Sequence, residues 1–251
     1  TNALTSLQSV FGYCTNLQTI NGFADTSSVT TTAYMFQNCT SLKTIPPIDT
    51  SSNQNFGFMF AACSSLTSIP PLNTSSGTNF GSFASVCSEL ITFSFDTCDF
   101  SKVTSMTGGW INCKKMTSIP TVPLELSLCT NLQGTWQNCN KMAGVWPAMT
   151  TTSVLTTLSS TWNACKKLTG PFPFFDTSGV TTMNQTWRDC NLLDGAIPAF
   201  DTSLVADASY AWANTLVSGA FPALDLGECL NVSNMLASTN ITNFPSIDMP
   251  K

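Results

Sequence analysis

Cysteine is the residue type in this chain with the widest chemical range, since thiols bind metals, form disulfides and act as nucleophiles. The chain has 251 residues, and eleven of them are cysteine. Eight cysteines recur at steps of 24 to 26 residues: Cys14, Cys39, Cys63, Cys87, Cys113, Cys139, Cys165 and Cys190. Thr215 and Thr239 continue the series, so this Cys slot marks ten copies of one repeat, numbered here from copy 1 at Cys14 to copy 10 at Thr239.

We expect these cysteines to be buried free thiols rather than metal ligands or disulfide partners. The sequence contains no Cys-x-x-Cys pair, so a zinc site has no support from spacing. Cys98, Cys129 and Cys229 also fall on apolar positions of the repeat, where a free thiol behaves as a small hydrophobic side chain. Cysteines of neighbouring copies could approach each other, but a disulfide needs Cα atoms within about 7 Å and suitably aimed side chains. No metal and no cofactor are therefore predicted.

Acidic residues recur in the same register, 14 residues before each Cys slot. This Asp slot holds Asp25, Asp49, Asn73, Asp99, Glu125, Thr151, Asp176, Asp201 and Asp225. A row of carboxylates could bind calcium, but Asn73 and Thr151 carry no charge, and the Gly-Asp-rich nonapeptide of calcium-binding β-rolls is missing. A side-chain oxygen at the start of a helix also accepts hydrogen bonds from the first N–H groups of that helix. We expect this capping role.

Lysines form the departure from the repeat that most suggests binding. Lysines occupy the two positions after the Cys slot in three consecutive copies, where the first three copies carry Ser, Thr or Asn: Lys114, Lys115, Lys141, Lys166 and Lys167. They are five of the nine basic residues in a chain of net charge −5. Their alignment predicts a ligand-binding site for an anionic group, such as a surface polysaccharide or a phosphate. The alternative is a solubilising stripe that also discourages association of sheet edges.

A few aromatic residues fall outside the apolar positions of the repeat. They are Tyr13, Tyr34, Phe58, Phe174 and Tyr210. Their rings could stack on sugars, although single exposed aromatic side chains are common on protein surfaces.

Composition argues against several classes of function. The acidic balance argues against nucleic acid as a general partner, because proteins that bind phosphate backbones are rich in clustered basic residues. The chain has no histidine, the commonest general base, and no G-x-S-x-G motif, so we do not expect an enzyme. No apolar run reaches the roughly 18–20 residues that cross a bilayer, so no membrane span is predicted.

The spacing of apolar residues predicts how each copy folds. Counted from the Asp slot, apolar residues favour positions +4, +7, +11 and +14, as in Val180, Met183 and Trp187. Steps of three and four residues place such side chains on one face of a helix. The segment after the Cys slot varies in length and carries an apolar residue followed by proline, as in Ile45-Pro46. This arrangement is typical of a short strand that ends at the proline.

Together these elements predict an α/β repeat solenoid of about ten units of 24–26 residues, each a short parallel strand plus a short helix. A unit of this size cannot bury its apolar face alone, so neighbouring units must stack. Residues 1–251 are predicted to form a single repeat domain. The chain opens with Thr1 in the middle of a repeat, so we expect it to be a fragment or a processed part of a longer chain.

The repeated pattern, MFxxCxxLxxIPPxDTSxVTxM in its fullest form, resembles the BspA-like leucine-rich repeats and the bacterial surface protein 26-residue repeat. The pattern covers essentially the whole chain, and similar Trp-x-x-Cys versions occur in bacteriophage structural proteins. The resemblance implies a leucine-rich-repeat-like solenoid that is extracellular, on a cell surface or a virion, and often adhesive. It implies no catalytic residues. Copies 9 and 10 depart from the pattern, since they have lost the cysteine.

Two functions follow from these expectations. The first is a non-catalytic, surface-displayed binding or adhesion module that recognises a glycan or a protein receptor on a target surface. The second is a structural subunit that self-associates through its solenoid ends into a filament or a virion appendage. Open solenoids need polar caps for solubility, whereas Leu4 and Leu7 begin the chain in register as core residues. We therefore expect either a further domain or another copy of the chain to cap each end.

Overall fold

The computed structural model describes residues 3–245. Regular elements in this range are short: one 3₁₀ turn at Phe95–Thr97 and six strands of two to four residues. The strands are β1 (Leu124–Glu125), β2 (Ala143–Gly144), β3 (Met149–Thr150), β4 (Lys167–Leu168), β5 (Ser218–Ala220) and β6 (Asn240–Asn243). They form three separate parallel pairs, β1–β3, β2–β4 and β5–β6, and each pair joins one copy of the repeat to the next.

A column of parallel backbone bridges runs through the spacer, which is the segment from the Asp slot to the Cys slot. The column joins, in order, Ser6, Thr31, Asn55, Asn79, Ser105, Asn131, Thr157, Thr182, Asp207 and Asn231. Each copy therefore lies directly beside its neighbours in sequence and in parallel orientation. Equivalent residues of successive copies line up as columns along the stack.

Backbone hydrogen bonds in the spacer alternate between two destinations. In copy 2, the N–H of Met35 turns back to the carbonyl of Thr32 (3.0 Å), whereas the N–H of Tyr34 donates across to Gly57 in copy 3 (3.0 Å). Both kinds of bond recur along the stack, and the crossing bonds of the central spacer run from each copy to the one that follows it. An N–H nearer the Asp slot donates in the opposite direction, as from Thr30 to Thr5 of the preceding copy (2.9 Å). Each spacer is therefore a run of tight turns whose remaining N–H groups depend on the next copy.

The helix predicted for the spacer is wrong, because residues 3–245 contain no α-helix. Two positions in every spacer, five residues and one residue before the Cys slot, have a positive φ, which is 59° at both Tyr34 and Asn38. A left-handed residue interrupts the hydrogen bonds from residue i to residue i−4 on which an α-helix depends. The apolar positions are nevertheless buried, as at Val180, Met183 and Trp187, because successive tight turns also bring residues three and four apart to one side.

The segment from the Cys slot to the next Asp slot carries the predicted strands only in part. The pairs β2–β4 and β5–β6 lie just after the Cys slot, and an isolated bridge from Ser68 to Thr92 marks the same region in copies 3 and 4. The pair β1–β3 lies at the far end of the segment, beside the Asp slot. The most continuous parallel pairing thus runs through the arm that was predicted to be helical. Assignment of the stack to the leucine-rich-repeat-like solenoids stays a prediction.

Aromatic rings three residues before the Cys slot form the centre of the core. The column consists of Phe11, Phe36 and Phe60 in copies 1 to 3 and of Trp110, Trp136, Trp162, Trp187 and Trp212 in copies 5 to 9. Neighbouring rings of the same type stack with centroids 5.3–6.2 Å apart. Copy 4 carries Ala84 in this column, and the adjacent Phe83 places its ring edge-to-face between Phe60 and Trp110. The stack therefore has no break in its aromatic core at copy 4.

Copy 7 contains one residue more than the sequence register suggested. Thr150, rather than Thr151, pairs with Glu125 of the preceding Asp slot, so the spacer of copy 7 is 15 residues long instead of 14. Near this insertion the carbonyl oxygen of Ser153 lies where a Cβ atom of Gly179, in copy 8, would have to be. A residue with a side chain does not fit at position 179 unless the backbone moves.

Replacing Gly179 with alanine should destabilise the fold by about 3 kcal/mol or more, because the added methyl group overlaps backbone atoms of the neighbouring copy. Gly22→Ala is the matched control, since nothing lies within 4 Å of its Cβ position. Urea unfolding followed by tryptophan fluorescence measures both variants. Equal unfolding midpoints for Gly179→Ala and the wild-type chain would contradict the close approach of Ser153.

Candidate functional site

The five predicted lysines lie on the outside of copies 5, 6 and 7. All are exposed: Lys114, Lys115, Lys141, Lys166 and Lys167. They follow Cys slots that are fully buried, so the backbone leaves the core just before each of them. The bridges from Ser105 to Asn131 and from Asn131 to Thr157 hold the three copies side by side. The structure therefore brings the five residues to one surface, here called the lysine stripe.

Lys115 is the member of the lysine stripe that forms an ion pair within residues 3–245. Its Nζ lies 2.6 Å from Oε2 of Glu89, which holds the equivalent position, two residues after the Cys slot, in copy 4. About half of each side chain is exposed, so water screens the pair and it contributes little to stability. In the parallel β2–β4 register Lys167 pairs with Ala143, two residues beyond Lys141, so the lysines of copies 6 and 7 are close but offset. The remaining ammonium groups create a local positive potential on an acidic molecule.

The repeated thiols tie neighbouring copies together. From Cys39 to Cys190, each Sγ in the Cys slot donates a hydrogen bond, 3.0–3.2 Å long, to the backbone carbonyl three residues before the Cys slot of the preceding copy. The pairs are Cys39–Phe11, Cys63–Phe36, Cys87–Phe60, Cys113–Ala84, Cys139–Trp110, Cys165–Trp136 and Cys190–Trp162. Burial raises the pKa of Cys39 to about 11 and the pKa of Cys113 to about 12. These thiols therefore stay protonated and act as donors rather than as nucleophiles.

All eleven cysteines are free thiols, but two of them differ from the predicted burial. Cys14 is exposed, because no preceding copy covers it within the described residues, and Cys98 is half-buried. Cys98 directly follows the 3₁₀ turn, and burial raises its pKa to about 12. Across residues 3–245, no group of three or more His, Cys, Asp or Glu side chains is arranged to hold a metal ion.

The Asp slot caps a turn instead of a helix. Oδ1 of Asp25 accepts hydrogen bonds from the N–H of Ser27 (3.0 Å) and from its hydroxyl (2.7 Å), which closes an Asx turn. The same bond from the N–H two residues on recurs at Asp49, Asn73, Asp99, Asp176, Asp201 and Asp225. These hydrogen bonds lower the pKa of Asp25, Asp49, Asp99 and Asp201. The capping chemistry was predicted correctly, whereas the capped element was not.

A second capping column was missed in the sequence. It lies at the bridge positions, where a side-chain oxygen accepts a hydrogen bond from the N–H two residues further on, as from Gly81 to Asn79 (2.8 Å). Every copy has Ser, Thr, Asn or Asp at this position, from Ser6 to Asn231. That restricted composition at a fixed offset was the available signal, since these residue types close local turns.

Buried threonines next to the Asp slot complete the polar network. The hydroxyl of Thr26 donates to the carbonyl of Asp49 (2.9 Å), and that of Thr50 donates to the carbonyl of Asn73 (2.8 Å). Equivalent bonds recur further along the stack, as from Thr177 to the carbonyl of Asp201 (2.9 Å). Thiols, hydroxyls and carboxylates of the repeat are thus engaged in holding turns closed and copies together. The lysine stripe takes no part in these hydrogen bonds and forms a separate, positively charged surface.

Sequence comparison places the chain in a family. The profile of a family described as "Mycoplasma protein of unknown function, DUF285" matches residues 5–121 and again residues 129–245. The chain belongs to this family. Each DUF285 match spans five copies of the repeat, so the chain carries two DUF285 segments in tandem. No curated protein and no solved structure matches the chain.

The two DUF285 segments differ in their core and surface. The first has phenylalanine in the stacked aromatic column of copies 1 to 3, and the second has tryptophan in copies 6 to 9. The lysine stripe crosses the boundary between the segments, since copy 5 belongs to the first match and copies 6 and 7 to the second. Within residues 3–245, no helix is long and apolar enough to cross a membrane.

Thiol reactivity should separate Cys14 from the other cysteines of the DUF285 chain. With the native protein at mildly alkaline pH, Ellman's reagent should label Cys14 quickly, Cys98 slowly, and the nine buried thiols only after unfolding in urea. Burial and a raised pKa both limit thiolate formation at the buried positions. Cys14→Ser is the control and should remove the fast phase. Rapid labelling of several thiols in the folded chain would refute the interior thiol column.

Acid should destabilise the fold through the Asp slot. The pKa of Asp25, Asp49, Asp99 and Asp201 is lowered in the folded chain from an ordinary value of 3.8. Their stabilising contribution is thus complete above that value and is lost as the pH falls through the lowered folded-state pKa. Thermal unfolding followed by circular dichroism from about pH 6 to about pH 2 should show this decline.

Replacing all four aspartates with asparagine should flatten the acid decline, since an amide oxygen accepts the same bond without titrating. Copy 4 already has this arrangement, because Asn73 accepts from the N–H (3.1 Å) and the hydroxyl (2.8 Å) of Ser75. Asn73→Asp, the reverse change, should steepen the decline. An unaltered pH profile in the fourfold variant would show that these turns do not couple folding to protons.

Proposed function

We propose that this chain is a non-catalytic, surface-displayed binding or adhesion module that recognises a carbohydrate or a protein on a target surface. The observation that carries the proposal is the lysine stripe: five exposed lysines on three adjacent copies of a molecule with net charge −5. Their backbone is held by buried thiols and by crossing hydrogen bonds, so the charges are presented on a rigid support. A preorganised surface loses less conformational entropy when it binds.

The proposed class of protein is a repeat solenoid that is leucine-rich-repeat-like and related to the BspA-like surface repeats. Support comes from the ten-copy column of parallel bridges and from the aromatic and thiol columns that run with it. Solenoids present extended surfaces on which successive copies offer equivalent side chains to one ligand. Such a protein is expected outside the cell, on a cell surface or on a virion.

The proposed ligand group at the lysine stripe is anionic, such as the sulfate, phosphate or carboxylate of a surface glycan. Ammonium groups bind such groups as point charges and suit a polymer whose charges recur along its length. A non-catalytic role fits the uses of the other reactive side chains, since the thiols are protonated donors and the aspartates close turns. Lys115 is already paired with Glu89, so the positive potential of the stripe in copy 5 is lower than its two lysines alone would give.

End-to-end assembly is the second candidate function, and the direction of the crossing hydrogen bonds favours it. In the central part of the spacers of copies 1 to 9, four N–H groups donate to carbonyl groups of the next copy, as from Tyr210 in copy 9 to Ser233 in copy 10, whereas a single N–H nearer the Asp slot, as at Leu230, donates back to the preceding copy. Copies 1 and 10 therefore differ in polarity, and a second chain placed head to tail would continue the same ladders. Multi-angle light scattering distinguishes the candidates, since a monomer at high concentration argues against the filament.

Charge reversal tests the binding proposal. Changing the five lysines of the stripe to glutamate should weaken binding to immobilised heparin, a sulfated polysaccharide, by about 100-fold, because attraction is replaced by repulsion. The affinity of the wild-type chain for heparin should fall steeply with added salt. Glu89→Gln should strengthen binding slightly, since it releases Lys115 from its ion pair.

Lys43→Glu combined with Lys102→Glu is the matched control, because both residues are exposed lysines outside the stripe. This control should change heparin affinity much less than reversal of the stripe. Circular dichroism and the unfolding midpoint should be unchanged in all variants. Unaltered heparin binding after reversal of all five stripe lysines would rule out the stripe as the site.

A further inference from the structure

The three tyrosines of the chain share an unusual backbone conformation. All three tyrosines of the chain, and Phe58, occupy the left-handed positions of the spacer turns. Their φ angles are 63° at Tyr13, 59° at Tyr34, 57° at Phe58 and 55° at Tyr210. A bulky residue with positive φ is a genuine outlier, because its Cβ atom approaches the following carbonyl oxygen.

Most other copies fill the same positions with smaller residues, although the β-branched Val86 also has a positive φ (62°). Gly108, Gly134, Asn112 and Asn138 are examples, and glycine and asparagine adopt positive φ most readily. The aromatic residues therefore stand where the fold would be served as well or better by a smaller side chain. A strained backbone conformation persists only where the surrounding structure or a function favours the residue that adopts it, and strained residues cluster at functional sites.

Core packing does not supply that requirement. Tyr13 is 68% exposed, and Tyr34 and Phe58 are half-buried, whereas the core column of the same copies is formed by Phe36 and Phe60. The rings of Tyr34 and Phe58 instead stack on each other at the surface, with centroids 4.9 Å apart and planes within 11°. We call these two residues the aromatic pair.

The surroundings of the aromatic pair are uncharged and polar. The same column holds Ser9 in the copy before the pair and Ser82 in the copy after it, so only short side chains flank the rings. In copies 1 to 4 the turns over residues 8–13, 33–38, 57–62 and 81–86 contain no charged residue. Gln37 and Asn38, three and four residues after Tyr34 along the chain, are half-exposed amides.

We infer that the aromatic pair is a second binding surface, which stacks on the ring of a neutral carbohydrate. The inference rests on the proposed function and extends it to a second ligand class and to copies 2 and 3, which the lysine stripe does not include. The C–H face of a sugar ring packs on an aromatic ring, while amides such as Gln37 and Asn38 offer both donors and acceptors to its hydroxyl groups. Because the surface carries no charge, binding there should not depend on salt.

A double variant, Tyr34→Asn with Phe58→Asn, tests this surface in the full chain. Asparagine suits positive φ, so the melting temperature should stay unchanged or rise, while affinity for a neutral oligosaccharide should fall about tenfold. The probe is an array of neutral oligosaccharides, with heparin as the anionic comparison. A higher melting temperature together with weaker oligosaccharide binding would show that the rings serve binding and not stability. If the rings serve packing, the double variant should have a lower melting temperature.

Phe174→Asn is the matched control, since that ring is 72% exposed but does not lie at a left-handed position. It should leave binding to the array unchanged. Three results overturn the inference: unchanged array binding by the double variant, equal loss in the Phe174 control, or no binding of a neutral sugar by the wild-type chain. If heparin is still bound in any of these cases, the proposed function stands without the aromatic surface; if neither heparin nor the array is bound, both fail.

Discussion

In copies 1 to 9, every second N–H group in the central part of the spacer has its acceptor in the following copy, and this requirement shapes the whole molecule. In copy 2 the donors are Thr32, Tyr34, Phe36 and Asn38. A typical hydrogen bond contributes about 1 kcal/mol net, whereas a buried donor without a partner costs about 1–3 kcal/mol. A single copy would leave several donors unsatisfied and its aromatic ring uncovered. Copies therefore stabilise each other, and stability is a sum of contacts between neighbours more than a property of any one unit.

The same requirement explains which residues recur. Sending alternate N–H groups inward and across forces two residues of each spacer into the left-handed region, which favours glycine, asparagine and serine there. A thiol is long enough and apolar enough to reach a carbonyl of the preceding copy from inside the core, as Cys190 reaches Trp162 (3.1 Å). Thr215 shows the alternative: its hydroxyl donates to Trp212 of its own copy (2.8 Å), so the cross-copy bond is replaced by a local one.

The period, the register and the buried positions could be predicted from the sequence, because each column has a consistent residue type. The helix could not, since apolar steps of three and four residues arise both from an α-helix and from consecutive tight turns. Gly108 and Gly134 are residues typical of left-handed positions, but Tyr34 and Phe58 at the equivalent positions are not, so the column as a whole did not indicate a positive φ. The lysine stripe was readable as an alignment, but its pairing with Glu89 depends on which copies are adjacent and on how far a side chain reaches. The shift to Thr150 in copy 7 left no trace in composition, because threonine fills both candidate positions.

A backbone that is fixed by its neighbours leaves its outward side chains unusually free, and this freedom makes departures from the repeat informative. A tyrosine at a left-handed position, where a small residue fits the backbone better, is a departure that core packing does not explain. A row of lysines on an acidic molecule is a second departure. The two departures occupy different turns and carry different chemistry, one neutral and aromatic, the other cationic. A ligand that spans several copies could engage both, and contacts that are weak singly would then add, since the stack has already fixed their separation. Rigid repetition is in this sense the physical basis of the proposed recognition, in a protein whose thiols and aspartates are engaged in its own fold.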